Sequence, residues 1–183
     1  MRITGGQVRG RRLASSKGLR IRPSSDKVRE AIFNLIGQNL TDLKVLDLFA
    51  GTGSLGIEAL SRGASKVVFI DHSIQSLRLI KKNLALCGYE SAGRVLKKDL
   101  TRGLRWKYPL LKKFDLVFLD PPYEKGLITP ILKELSEKEI LASSSIVIAE
   151  SSKADDLPTN IKRLKLVDTR LYGETKIAIY HYR

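Results

Sequence analysis

The sequence predicts an α/β fold built on a mainly parallel sheet, and three observations support this prediction. Five short β-rich runs recur at intervals that suit β–α–β units. They are Lys44–Phe49, Lys66–Asp71, Arg94–Asp99, Phe114–Asp120 and Ser145–Glu150. Val67–Ile70 and Leu116–Leu119 are apolar at every position, as parallel strands covered by helices on both faces require. The segments after the first two runs have helical periodicity instead.

Three amphipathic helices are predicted. Ser54–Arg62 and Ile74–Leu86 follow the first and second strands, which gives the alternation of a parallel sheet. Residues 25–40 form a helix before the first strand, with Ser24 or Ser25 as its N-cap.

The two ends of the chain are expected to differ from this pattern. Arg163–Tyr172 and Lys176–Tyr182 are joined by Gly173-Glu174-Thr175, which is typical of a hairpin, so the sheet is expected to end antiparallel. Arg2–Arg22 places glycines between extended pieces and is predicted to form a small basic β-hairpin or arm. We therefore divide the chain into a basic arm, 1–22, and one α/β domain, 23–183.

The charge of the chain favours a polyanionic partner. Lys and Arg outnumber Asp and Glu by 33 to 19, which gives a net charge of +14. Nucleic acid is the first candidate, and a merely solvated basic surface is the alternative. Residues 1–25 contain seven cations and no acid. These cations are Arg2, Arg9, Arg11, Arg12, Lys17, Arg20 and Arg22.

Cysteine and histidine are scarce. The one cysteine, Cys87, excludes an internal disulfide and is expected to be a small buried hydrophobe. His72 and His181 are too isolated to suggest zinc, so no metal is predicted. No apolar run approaches the length of a membrane span. We expect a cytoplasmic, monomeric protein.

A glycine loop joins the first strand to the following helix. Gly51, Gly53 and Gly56 form G-x-G-x-x-G, and Asp71 follows Gly51 by 20 positions, as in dinucleotide-binding proteins. Asp47 favours a different ligand, because its carboxylate would repel a pyrophosphate but attract the ammonium or sulfonium group of S-adenosylmethionine. A turn or cap role for Asp47 is the alternative.

Two further acids end parallel strands, where open α/β sheets bind ligands. Asp71 is placed to accept hydrogen bonds from a ribose diol with either type of cofactor. Asp99 could accept a hydrogen bond from an adenine amino group, or it could cap a helix.

The tetrapeptide Asp120-Pro121-Pro122-Tyr123 directly follows the fourth strand. An exocyclic base amine is a poor nucleophile, so a catalyst must hold it in line with the methyl sulfonium. The Asp120 carboxylate and the Pro121 carbonyl can accept the two amine hydrogens, and the Tyr123 ring can stack on a flipped base. The motif therefore predicts methylation of a base amine, with a rigid Pro-Pro turn as the structural alternative.

The chain resembles the bacterial 16S ribosomal RNA guanine-N2 methyltransferases of the RsmD type. The resemblance covers nearly the whole chain and rests on four stretches. These are Arg2-Ile3-Thr4-Gly5-Gly6, Arg22 to Asn34, Phe49-Ala50-Gly51-Thr52-Gly53 and Asp120-Pro121-Pro122-Tyr123. It implies a seven-stranded class I methyltransferase sheet, S-adenosylmethionine as donor, and a guanine of small-subunit rRNA, within a ribosomal particle, as target.

The resemblance also implies roles for particular residues. Asp120 to Tyr123 would position the guanine. The donor would be bound by Asp47, Ala50, Gly51, Thr52, Gly53, Asp71, His72, Asp99 and Leu100. RNA would be bound by the seven cations of the arm and by Arg29, although the stretch 22–34 could also shape the donor pocket or merely begin a helix. Three other functions remain open: a DNA adenine-N6 methyltransferase, a non-catalytic RNA-binding assembly factor and an NAD-linked oxidoreductase.

Overall fold

The computed structural model describes residues 1–15, 26–104, 113–122 and 126–183. The chain forms two compact units, 1–98 and 99–183. The predicted caps Ser24 and Ser25 lie outside the described residues. No helix among the described residues has the length and apolar character that crossing a membrane would require.

The first unit contains three parallel strands in the order β3-β2-β1. Its elements are α1 (Asp26–Ile36), β1 (Lys44–Leu48), α2 (Ser54–Ser61), β2 (Lys66–Asp71), α3 (Ile74–Cys87) and β3 (Gly93–Lys97). Val67, Val68, Phe69 and Ile70 in β2 are completely buried, so both faces of this strand are covered, as its unbroken apolar run predicts. Cys87 is also buried, as expected.

The second unit begins parallel and ends antiparallel. Its elements are a short 3-10 helix (Leu100–Arg102), β4 (Phe114–Leu119), α4 (Ile128–Glu137), β5 (Leu141–Ser152), β6 (Asn160–Ile161), β7 (Leu164–Tyr172) and β8 (Thr175–Tyr182). The strand order is β4-β5-β8-β7-β6. β4 and β5 are parallel, whereas β8 is antiparallel to both β5 and β7. The predicted C-terminal hairpin is therefore confirmed.

The described residues contain eight strands, one more than the seven expected. The shortest of them, β6, has two residues. β5 begins at Leu141, four residues before the predicted start at Ser145. The hairpin turn contains two residues, since Tyr172 pairs with Thr175. Gly173 in this turn has φ of 63°, which glycine adopts at little cost.

Candidate active site

The glycine loop has the backbone conformation that its glycines allow. Gly51 and Gly53 have φ of 54° and 78°, and α2 begins at the next residue, Ser54. The Gly53 N–H donates to the Ala50 carbonyl at 2.7 Å, and the Ala50 N–H donates to the Ile70 carbonyl at 2.9 Å. The loop therefore turns sharply from β1 into α2, with the N-terminal N–H groups of this helix directed toward it.

Asp47 lies in β1 and is buried beneath this turn. Its Oδ2 accepts a hydrogen bond from the Gly56 N–H at 3.0 Å, so it satisfies one N–H of the first turn of α2. Burial raises the pKa of Asp47 to about 7, the Gly56 hydrogen bond lowers it, and the charge of Asp71 adds to the increase. The Gly56 contact corresponds to the turn or cap role that the sequence left open, and the donor-binding role of Asp47 stays a prediction.

Asp71, the last residue of β2, contacts the glycine loop directly. Its Oδ2 accepts from the Gly51 N–H at 2.9 Å and its Oδ1 from the Ser73 N–H at 2.8 Å. These two bonds fix the carboxylate at the loop, and each oxygen keeps a second lone pair for a ligand hydroxyl. The neighbouring His72 side chain is 68% exposed, with Nδ1 3.6 Å from Asp71 Oδ1.

Asp99 and Leu100 open the second unit. Asp99 caps the 3-10 helix, because its Oδ1 accepts from the Thr101 N–H at 3.0 Å and from Thr101 Oγ1 at 2.6 Å. Its side chain is half exposed, whereas Leu100 is buried. The capping role anticipated as the alternative for Asp99 is thus present, and its carboxylate still faces solvent.

Asp120-Pro121-Pro122 follows the last residue of β4 without a break, as predicted. A cavity of about 120 Å³ lies beside the two prolines. It is lined by backbone and side chains of the second unit: Pro121, Pro122, Gly126, Leu127, Ile128, Thr129, Glu150, Ser151, Asp155, Asp156 and Leu157. Three acidic residues, Glu150, Asp155 and Asp156, thus line a cavity that Pro121 and Pro122 also border. Tyr123, the remaining residue of the motif, lies outside the described residues.

The basic arm packs on the first unit through its backbone. Ile3 pairs with Arg11, Arg2 forms an antiparallel bridge with Arg12, and the buried side chains of Ile3 and Leu13 face the core. The arginines are exposed instead: Arg2, Arg9, Arg11 and Arg12. The other three predicted cations, Lys17, Arg20 and Arg22, lie outside the described residues.

Arg29 does not belong to that exposed set. Its side chain is completely buried, and its Nε lies 3.2 Å from Glu58 Oε2. Its Nη2 donates to Asp26 and to the Arg2 carbonyl, while its Nη1 has no hydrogen-bond partner in the part of the chain that the structure describes. The guanidinium is not accessible to solvent. The structure therefore contradicts the prediction that Arg29 contacts RNA.

Glu58 of α2 is a residue that the sequence analysis missed. Its buried carboxylate accepts from the N–H groups of Thr4 and Gly5 at 2.8 and 2.7 Å. It also pairs with Arg29 and, at 2.9 Å, with Arg62. A carboxylate surrounded by two guanidinium groups and backbone N–H groups holds the arm against α2. The cluster thus joins Thr4 and Gly5 of the first family stretch to Arg29 of the second.

Two features of this site are independent of the motifs. Among the described residues, no group of three or more histidine, cysteine, aspartate or glutamate side chains is placed to hold a metal ion. Asn83 of α3 is fully buried and hydrogen-bonds both the arm and the glycine loop. The sequence gives no signal for this asparagine, because only the folded structure brings the two segments to it.

The fold and the site define a class I, Rossmann-like methyltransferase. The solved structure of the yhhF protein of Escherichia coli matches with a TM-score of 0.87 and 33% identity, covering 100% of this chain and 98% of that one. On this fold the chain has a glycine loop after β1, an acid at the end of β2 and Asp120-Pro121-Pro122 after β4.

The chain belongs to the family described as conserved hypothetical protein 95, whose model matches residues 1–181. This is the family of the RsmD-type methyltransferases that the motifs resemble. YlbH of Bacillus subtilis is 36% identical over the full length of both chains. Ribosomal RNA small subunit methyltransferase D of E. coli is 33% identical, covering 98% of this chain and 89% of its own.

Proposed function

We propose that the chain transfers the methyl group of S-adenosylmethionine to the N2 amine of a guanine in small-subunit rRNA, within an assembled ribosomal particle. Three parts of the structure support the proposal: the glycine loop for the donor, the tetrapeptide and its cavity for the base, and the arm for the RNA. The observation that carries it is the carboxylate-lined cavity beside Pro121 and Pro122.

The donor part rests on the glycine loop and Asp71 of the first unit. The glycine loop lets the backbone approach a ligand, and the N-terminus of α2 favours the donor's carboxylate. Asp71, fixed by the Gly51 N–H, has remaining lone pairs for the ribose hydroxyls. The half-exposed Asp99 carboxylate supplies an acceptor for the adenine amine. Asp47 accepts a hydrogen bond from the Gly56 N–H of α2, and it contributes negative charge near the loop when ionised.

The base part rests on the second unit. The edge of guanine presents N–H donors at N1 and N2, whereas adenine presents an amine beside an N1 lone pair. Carboxylates are pure acceptors when ionised, so the cavity carboxylates, foremost the buried Glu150, favour guanine and repel the adenine N1. Asp120 and the Pro121 carbonyl then hold the N2 amine for in-line attack on the methyl group.

The RNA part rests on the arm and on relatives. Four exposed arginines lie on a backbone that Glu58 holds against α2, so they are presented together for contact with phosphates. The E. coli relative named Ribosomal RNA small subunit methyltransferase D supports rRNA as the substrate. Base contacts in the second unit supply the sequence selection that phosphate contacts lack.

Transfer of labelled methyl groups tests the proposal. Purified protein is incubated with S-adenosylmethionine and with small-subunit particles, or naked rRNA, from a strain that lacks the modification. We expect label in the particles and less in naked rRNA, and Asp120→Ala, which removes the acceptor, should abolish transfer while donor binding stays. Asp168→Asn, in β7 of the same unit, is the matched control and should retain activity. Absence of label in both RNA forms would refute the proposal.

Glu150 provides a sharper test of the base assignment. Glu150→Gln keeps the side-chain volume but replaces one acceptor oxygen by a donor, so we expect kcat/KM for rRNA to fall about 10- to 100-fold, as loss of a buried base contact does. Glu139→Gln, at an exposed position of the same unit, should leave kcat/KM unchanged. Equal activity of the two variants would remove Glu150 from guanine recognition.

A further inference from the structure

The basic arm and the glycine loop are joined by one side chain of α3. Asn83 is 0% exposed. Its Oδ1 accepts from the Ala14 N–H at 2.7 Å, and its Nδ2 donates to the Ala14 carbonyl at 3.1 Å and to the Thr52 carbonyl at 3.0 Å. Both N–H donors and the carbonyl oxygen of the amide are therefore used, and they connect two segments far apart in sequence.

A second contact joins the same two segments. Thr52 Oγ1 donates to the sulfur of Met1 at 3.8 Å, and the Met1 carbonyl accepts from the Leu13 N–H at 3.2 Å. One end of the arm thus contacts Thr52 directly, through Met1, and the other end is joined to Thr52 through the Ala14–Asn83 hydrogen bonds. Thr52 is itself buried, so the contacts are shielded from water.

The glycine loop depends on such contacts for its order. Gly51 and Gly53, at either side of Thr52, have the largest backbone freedom of any residue type, and fixing them is entropically costly. The Thr52 carbonyl is held by Asn83, and the arm that Asn83 also holds is anchored through Glu58 to α2. A ligand that stabilises the docked arm therefore also stabilises the ordered loop.

We propose that Asn83 is a positioning residue that couples RNA binding by the arm to donor binding by the glycine loop, so that each ligand raises the affinity for the other. This inference rests on the proposed function, because it takes the exposed arginines as RNA contacts and the loop as a donor contact. When RNA is bound to the arm, the glycine loop is already more ordered, so donor binding loses less conformational entropy. Linkage requires the reverse effect to be equal.

Calorimetric titration with S-adenosylhomocysteine, which cannot donate a methyl group, measures this coupling. Its Kd is determined with and without saturating unmodified small-subunit rRNA. In the wild type we expect rRNA to lower the Kd at least fivefold, within the usual range of coupled sites. Asn83→Leu, similar in size but without the three hydrogen bonds, should bring this ratio close to one. Gln75→Ala, exposed on the same helix, should keep the wild-type ratio.

The ratio separates coupling from general damage, because a purely structural role of Asn83 would weaken each binding step and leave the ratio unchanged. An equal ratio in the wild type and Asn83→Leu, or a ratio of one in the wild type, would overturn the inference. If Asn83→Leu does not fold, hydrogen exchange of the wild type decides: rRNA should slow exchange of the Gly51 and Gly53 amides, and unchanged exchange would contradict coupling. Failure of the proposed function is recognised separately, as absence of methyl transfer to rRNA by the wild type.

Discussion

Replacing Asp47 by Asn is predicted to stabilise the fold above neutral pH. Burial raises the pKa of Asp47 from its ordinary 3.8 to about 7, whereas in the unfolded chain the carboxyl ionises near 3.8. Between these two values the folded state retains a proton that the unfolded state has released. Stability therefore falls as the pH rises from about 4 to 7 and stays reduced above 7.

The magnitude follows from the two pKa values. Each pH unit between 3.8 and about 7 corresponds to about 1.4 kcal/mol, so ionised Asp47 costs the fold roughly 4 kcal/mol as an upper estimate. Asn has nearly the same size and its Oδ1 still accepts from the Gly56 N–H, but it does not titrate. At pH 8 we expect the free energy of unfolding of Asp47→Asn to exceed that of the wild type by about 2–4 kcal/mol. Near pH 4 the difference should approach zero.

Urea denaturation of both proteins without donor, from pH 4 to 8, measures this difference. Asp42→Asn is the control, because it makes the same substitution at an exposed position of the same unit. A stability difference between Asp47→Asn and the wild type that stays constant with pH, or that shrinks as the pH rises, would refute the assignment of a buried carboxyl beneath the glycine loop.

Three further substitutions test the packing and the arm. Gly56→Ala places a Cβ against the Phe69 ring and 2.8 Å from Val67 Cγ1, so urea denaturation should show a loss of about 1–3 kcal/mol; an unchanged midpoint would contradict this close approach of α2 to β2. Tyr180→Phe removes the hydrogen bond to the Pro158 carbonyl at 2.9 Å, which should cost about 1 kcal/mol in the same assay; equal stability would mean that the hydroxyl finds water instead. We expect replacement of Arg9, Arg11 and Arg12 by Ala to reduce the slope of log K for rRNA binding against log salt concentration by about 2. An unaltered slope would exclude the arm as a phosphate contact.

The sequence predicted the strands well because their signal is local. The predicted bounds of β2 are those of the structure, because an apolar run bounded by polar residues can be recognised without tertiary information. β5 was begun too late, because Leu141 to Ser144 carry no apolar run, and the early start depends on a tertiary contact, the pairing of Leu141 with Phe114 of β4. The helix α4 was not predicted, although its buried Ile128, Ile131, Leu132 and Leu135 have helical spacing that could have revealed it.

The candidate site was predictable only in part, and burial explains the difference. The motifs located the loop, Asp71 and the tetrapeptide because their chemistry is encoded in consecutive residues. Glu58 and Asn83 were missed because an isolated polar residue on a helix resembles a solvated one until the arm packs against it. Arg29 was assigned to RNA for the same reason: its charge was visible in the sequence, but its Glu58 partner, 29 residues away, was not.

The central claim is that this methyltransferase modifies the N2 amine of a guanine in small-subunit rRNA. Small-subunit particles from a strain lacking the modification are incubated with the protein and S-adenosylmethionine, and the rRNA is digested to nucleosides for mass spectrometry. We predict N2-methylguanosine as the new nucleoside, absent when the Asp120→Ala variant replaces the wild type. Formation of N6-methyladenosine, or of no methylated nucleoside, would contradict the account.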